Sequence, residues 1–314
     1  MPLITLARHA MATRFEIALH GDDAVALRAA GEEALEEVDR LEAQLSLYRP
    51  SSEIAHVNAR AAREAVRVTP TLFGLLHHAQ ILSGETGGAF DITIGPLVRC
   101  WGFMGGKGHL PEPGELEEAR AKVGMHLVHL NAEDSTVRFE REGVMLDLGA
   151  IGKGYAIERA AEVLREAGVQ SALLHGGTST IYALGHPPEA EFWFVAVEKP
   201  EQEASSTPLA KIPLTDEALS VSAVWGRSFE NEGKSYGHVL DPRTGQPAAN
   251  ASLAAVVLPS ATETDALSTA LLTVGEGGHG AIAGLRTKMR TLLVMSLNGG
   301  LRTEAKGIVV EPLC

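Results

Sequence analysis

The stretch VMLDLGAIGKGYAIERAAEVLREAGVQSALL, residues 144–174, decides the class of fold. It reads as a strand over 144–148, a glycine turn, an amphipathic helix over 155–167 and a strand over 171–174. This strand–helix–strand step is not repeated along the chain. Helices and strands elsewhere mix without strict alternation, so the expected class is α+β rather than a doubly wound parallel sheet.

Working outward, residues 14–20 alternate, with Phe15, Ile17 and Leu19 on one face. Residues 23–47 form an amphipathic helix with Glu32, Glu33, Glu36 and Glu37 on its acidic side. Arg49-Pro50 stops it, and Ser51-Ser52-Glu53 opens a short second helix. Thr69-Pro70 starts another, running to about Gly84. Residues 104–114 are a glycine-rich loop before a short charged helix near 115–123. The segment KPEQEASSTP, 199–208, is expected as a surface loop. Three or four strands over 218–258 enclose the tight turn DPRTG, 241–245. A helix beginning in ATETDALSTALLTVG, 261–275, and a strand over 291–297 finish the chain.

The 314 residues are 45% hydrophobic, enough to bury a large core, and the expectation is one domain over 1–314. A formal charge of −13 supplies no basic stripe for nucleic acid. Cys100 and Cys314 are the only cysteines, which excludes a disulfide scaffold or a cysteine-rich metal centre. The N-terminus begins with strand-like alternation instead of a basic region and an apolar run, and no stretch is apolar enough to span a membrane. The expectation is a soluble, cytoplasmic protein.

Four segments could carry chemistry. LDLGAIGKGYA, 146–156, fails the P-loop pattern because no Ser or Thr follows Lys153, and it lacks the third glycine of a dinucleotide fingerprint. Alone it is a strand-to-helix connection with Lys153 in solvent. GGAFDITIGPLVRCWGF, 87–103, sets Asp91 among apolar residues, where it serves either as a cap or as a ligand contact; Trp101 and Phe103 read as core. YGHVLDPRTGQP, 236–247, places His238 before a turn, as an acid–base group or a structural imidazole. In the helix from 261, Thr262 and Thr264 are candidate N-caps, and Asp265 and Thr269 stand four apart on one side. Their oxygens suit either the positive helix start or a hard cation. His77-His78, His126 and His129 lack a supporting carboxylate pattern for a metal.

Met11-Ala12-Thr13, LSLYRPSSEIAHVN, GGAFDITIGPLV with WGF, LDLGAIGKGYA, His175-Gly176-Gly177, HVLDPRTG and TDALSTAL, in this order and spacing, resemble the ApbE family of FAD:protein FMN transferases, from Met11 to about Gly275. The resemblance implies a mixed-sheet, T-fold-like α+β architecture with FAD in a central cleft. It implies an FAD site of Met11, Tyr48, Ala89, Phe90, Asp91, Asp147, Lys153 and Leu240. A Mg2+ site would use the Ala150 carbonyl with Asp265 and Thr269, with Ser268 nearby. The implied reaction moves FMN from FAD to a Thr or Ser hydroxyl of an acceptor flavoprotein and releases AMP. We expect His238 to assist that hydroxyl, and Asp265 to act in catalysis through the metal. The alternatives are a Mg-dependent FAD pyrophosphatase and a low-turnover FAD-binding protein. The chain departs from the family pattern at Gly176-Gly177-Thr178 and in SVSAVWG, 220–226, and the further expectation is that it lacks the lipoprotein signal many members carry. These departures bear on the acceptor and the compartment more than on the flavin site.

Overall fold

The computed structural model describes residues 2–199, 208–297 and 300–310, so most of the expected loop 199–208 lies outside the described residues. Eight strands form one sheet, and every neighbouring pair is antiparallel. In spatial order they are Leu3–Ala10, Thr13–His20, Ser171–Gly176, Thr180–Leu184, Glu217–Ala223, Leu253–Leu258, Arg290–Leu297 and Gly300–Lys306.

Strand alternation sends one set of side chains to each face. Phe15, Ile17, Leu19, Leu174, Ala254 and Val256 join the core beneath helices Ala24–Leu45, Gly152–Glu166 and Ala261–Val274. Ile181, Leu219, Ala255, Val257, Leu292 and Val294 join a second core, covered by the hairpin of strands Trp193–Val197 and Ala210–Leu214. With both faces covered, Leu253–Leu258 is buried throughout, which explains its unbroken apolar sequence. A third cluster packs Leu97, Trp101, Phe103 and Leu240 against Phe229 and Tyr236. Trp101 Nε1 donates to the Gly245 carbonyl at 2.8 Å, which ties the 87–103 segment to the DPRTG turn.

Several expectations need correction. Among the described residues, 144–148 pair with no strand. The Asn58 amide takes the partner's place, accepting from the Leu146 N–H at 2.7 Å and donating to the Leu146 carbonyl at 2.9 Å. Helix Ala261–Val274 is capped by Ser260, whose hydroxyl accepts from the Glu263 N–H at 3.2 Å. Thr262 and Thr264 lie inside the helix instead, where Thr264 Oγ1 meets Ser220 Oγ at 2.8 Å. The charged helix expected near 115–123 runs Pro113–Arg120, with Glu115 reaching back to the Glu112 N–H. The strand Gly300–Lys306 is an addition at the sheet edge.

Candidate functional site

A cleft of about 1170 Å³ opens where the sheet, the glycine loop and the third cluster meet. All twelve positions expected at the site line it: Met11, Tyr48, Ala89, Phe90, Asp91, Asp147, Ala150, Lys153, His238, Leu240, Asp265 and Thr269. Ser268 lies behind the wall, fully buried.

Met11 and Ala12 are the two central residues of the first hairpin, at φ 50° and 58°. Such primed turns usually carry Asn or Gly, so this one holds its side chains in a disfavoured conformation at the rim of the cleft. Gly177, at φ 68°, closes the other side of the turn. A Cβ there would stand 2.3 Å from Thr13 Oγ1, so only glycine lets the HGG segment approach.

The helix expected from Tyr155 begins at Gly152, so Gly154 belongs to its first turn, and there it meets the Ala261–Val274 helix. A Cβ on Gly154 would fall 2.2 Å from the Ala261 carbonyl oxygen and 2.7 Å from the Asp265 Cβ. The Gly154 N–H donates to Asp265 Oδ2 at 2.9 Å. Asp265 is only 4% exposed, forms no ion pair among the described residues, and has no protein donor on Oδ1 there. A buried carboxylate in that condition calls for a cation. Thr269 Oγ1 lies one turn on, donating to the Asp265 carbonyl at 3.2 Å and standing 3.1 Å from Ser222 Oγ. Ser222 Oγ also meets Ser268 Oγ at 2.9 Å, so Ser268 braces the ligand wall from behind. Carboxylate, hydroxyl and the Ala150 carbonyl make an all-oxygen donor set, which fits Mg2+. No cluster of three or more His, Cys, Asp or Glu suited to a metal occurs among the described residues.

Asp91 is buried and fully engaged. Oδ1 accepts the Thr93 N–H at 2.8 Å and its hydroxyl at 2.5 Å, while Oδ2 accepts Ser83 Oγ at 3.2 Å and the Met125 N–H at 3.0 Å. Its carboxylate therefore holds Ala89 and Phe90 in place. Asp147 accepts the Gly149 N–H at 2.8 Å. Burial raises its carboxyl, against the Gly149 bond and the nearby charges of Lys153 and Arg227. Lys153 Nζ donates to the Gly149 carbonyl at 3.1 Å, folding back over the loop at the cleft edge. Tyr48, 60% exposed, presents an open ring at the mouth.

Arg227 is the residue that motif reading missed. Its Nη2 donates to the Phe103 carbonyl at 2.7 Å, and its own carbonyl lies 3.0 Å from the His238 N–H nitrogen and 3.1 Å from His238 Nδ1. That contact assigns the ring proton to Nδ1 and leaves Nε2 as the acceptor. Burial lowers the His238 pKa, and the charges of Arg227 and Lys153 lower it further, against the carbonyl bond. The imidazole is thus neutral at neutral pH, as a proton acceptor must be. Ser222 was also missed; the alternation in SVSA, which puts Ser220 and Ser222 on one face, was the available signal.

The model of the ApbE family matches residues 11–292. The FAD:protein FMN transferase of Vibrio cholerae is 31% identical over 278 residues, covering 86% of this chain and 81% of the relative. That of Treponema pallidum is 31% identical over 266 residues, covering 80% and 73%. Among solved structures, the ApbE protein of Thermotoga maritima superposes with a TM-score of 0.86 at 26% identity, covering 99% of this chain and 96% of that one. The flavinyl transferase ApbE of Pseudomonas stutzeri gives 0.85 at 27%, covering 98% and 95%.

Proposed function

The chain belongs to the ApbE family, and from that premise we propose that it transfers the FMN half of FAD to a Thr or Ser hydroxyl of an acceptor flavoprotein, releasing AMP. Flavin transfer is the activity its relatives are named for. The observation that carries the finer reading is Asp265, a buried carboxylate with no ion-pair partner among the described residues, bonded to Gly154 in the wall of a cleft of about 1170 Å³.

In this reading Met11, Tyr48, Ala89, Phe90, Asp147, Lys153 and Leu240 wall the FAD site, with Asp91 fixing the 89–90 segment. Ala150, Asp265 and Thr269 would hold Mg2+, which would offset negative charge on the pyrophosphate. The acceptor hydroxyl oxygen bonds to the FMN-side phosphorus. The bond from that phosphorus to the bridging oxygen breaks, and AMP leaves with that oxygen. His238 Nε2 takes the hydroxyl proton, while Arg227 keeps the ring oriented through its carbonyl. Lys153 adds a point charge at the cleft edge.

We treat the whole chain as one functional unit. No helix among the described residues is long and apolar enough to cross a membrane. Action in the cytoplasm stays part of the proposal, to be tested by fractionating cells that express the native gene.

The experiment mixes the protein with FAD, Mg2+ and a flavin-free acceptor domain and follows AMP and protein-bound flavin fluorescence. AMP released in step with labelled acceptor supports transfer. AMP and free FMN without labelled acceptor would make the chain a pyrophosphatase. FAD that stays intact through the assay would make it a flavin store.

A further inference from the structure

Past Ser222 the cleft runs on into an apolar groove on the hairpin side of the sheet. Leu173, Ile181, Val221 and Leu253 form its floor, and the strand Trp193–Val197 borders it. That strand pairs with Ala210–Leu214 on one side; among the described residues its other edge has no partner.

The pairing fixes which backbone groups are left over. Phe194 stands opposite Pro213, which has no N–H, and the Pro213 carbonyl accepts from Arg290 Nη2 at 3.0 Å instead. Phe194 and Pro213 are therefore a non-hydrogen-bonded pair, and the two-residue period makes Ala196 and Lys211 another. The N–H and C=O groups of Phe194 and Ala196 consequently point to the free edge. Phe194 is 53% exposed and Ala196 is exposed as well.

A line of alternating donors and acceptors at strand spacing does not match the rings and phosphates of FAD. It matches an extended polypeptide, whose alternate side chains can rest on the apolar floor. We propose that an extended segment of the acceptor protein adds as a strand to the free edge of Trp193–Val197 and so delivers its hydroxyl to the Asp265 end of the cleft. This rests on the flavin-transfer reading above.

Ala196→Pro tests it, because the lost N–H takes no part in the ladder to Ala210–Leu214. With an acceptor domain that the wild-type chain flavinylates, the KM for acceptor is expected to rise about ten-fold while the FAD dissociation constant stays within about two-fold. An unchanged acceptor KM overturns the proposal. If the variant does not fold, hydrogen exchange on the wild-type protein decides. Added acceptor is expected to slow exchange at the Phe194 and Ala196 amides, and amides left unprotected overturn the proposal. Finding no flavinylated acceptor at all would instead overturn the flavin-transfer reading, and this proposal with it.

Discussion

Gly154 donates its backbone N–H to Asp265 Oδ2 at 2.9 Å, and this bond is where the first turn of helix Gly152–Glu166 and the Ala261–Val274 helix are locked together. The contact does two jobs. It orients the carboxylate with Oδ2 occupied, and it brings Ala150, Asp265 and Thr269 to the same cleft.

Gly154→Ala follows directly from that approach. The added methyl would meet the Ala261 carbonyl oxygen at 2.2 Å, and the far side of that contact is backbone. The helices must separate, at a cost of about 1–3 kcal/mol. Urea denaturation should show the loss, together with weaker metal binding. Wild-type stability in this variant would mean that the two helices are not in contact as described.

Asp265→Asn keeps one oxygen to accept the Gly154 N–H, removes the charge and replaces the other oxygen by an amide NH2. Without metal the variant should be as stable as wild type, or more so by up to about 2 kcal/mol, since an unpaired buried carboxylate is costly. Titrating Mg2+ should raise the wild-type Tm and leave the variant unmoved. Equal shifts in both proteins would place the metal elsewhere.

For His238 the pH dependence has a definite sign. Burial holds its pKa below the ordinary 6.5, so the neutral ring prevails at neutral pH. Transfer kcat/KM should rise with pH through a value below 6.5 and then level off, losing activity on the acid side. The same depressed pKa contributes stability that is fully present above 6.5 and is lost as pH falls toward the folded-state value. His238→Ala should slow transfer about a hundred-fold and flatten that acid limb, with FAD affinity unchanged. No loss of rate would remove His238 from the mechanism.

Much of this was legible in the chain, for reasons that differ by region. Strands such as Thr13–His20 announce themselves by alternation, and Pro70–Glu85 by a Thr-Pro start. Residues 144–148 look like a strand because they are mostly apolar and extended, but Leu146 pairs with the side chain of Asn58, 88 residues away, and the Asp147 N–H donates to the Ile92 carbonyl at 2.7 Å. Ser260, and neither Thr262 nor Thr264, caps its helix, and the Thr264 hydroxyl is taken up by Ser220 on a neighbouring strand, a contact that no local pattern reveals. Gly300–Lys306 is a half-exposed edge strand with Arg302, Glu304 and Lys306 on it, so its apolar signal is faint. The site positions came from the order of the motifs. Residue by residue they were ambiguous, because a contact such as Gly154 to Asp265 joins groups 111 positions apart.

Ala12 offers a test of the strained hairpin. Ala12→Gly removes the penalty of φ 58° and should stabilise the fold by about 1 kcal/mol, with FAD affinity retained because Met11 is untouched. A loss of stability would show that the turn is not strained in the way described.

The most direct test compares acceptor flavinylation by the wild-type chain and by Asp265→Asn, each with Mg2+ and with a chelator. The account predicts covalent flavin and matching AMP only for wild type with Mg2+. Labelling by the variant at the wild-type rate, or labelling that persists in the chelator, would contradict it.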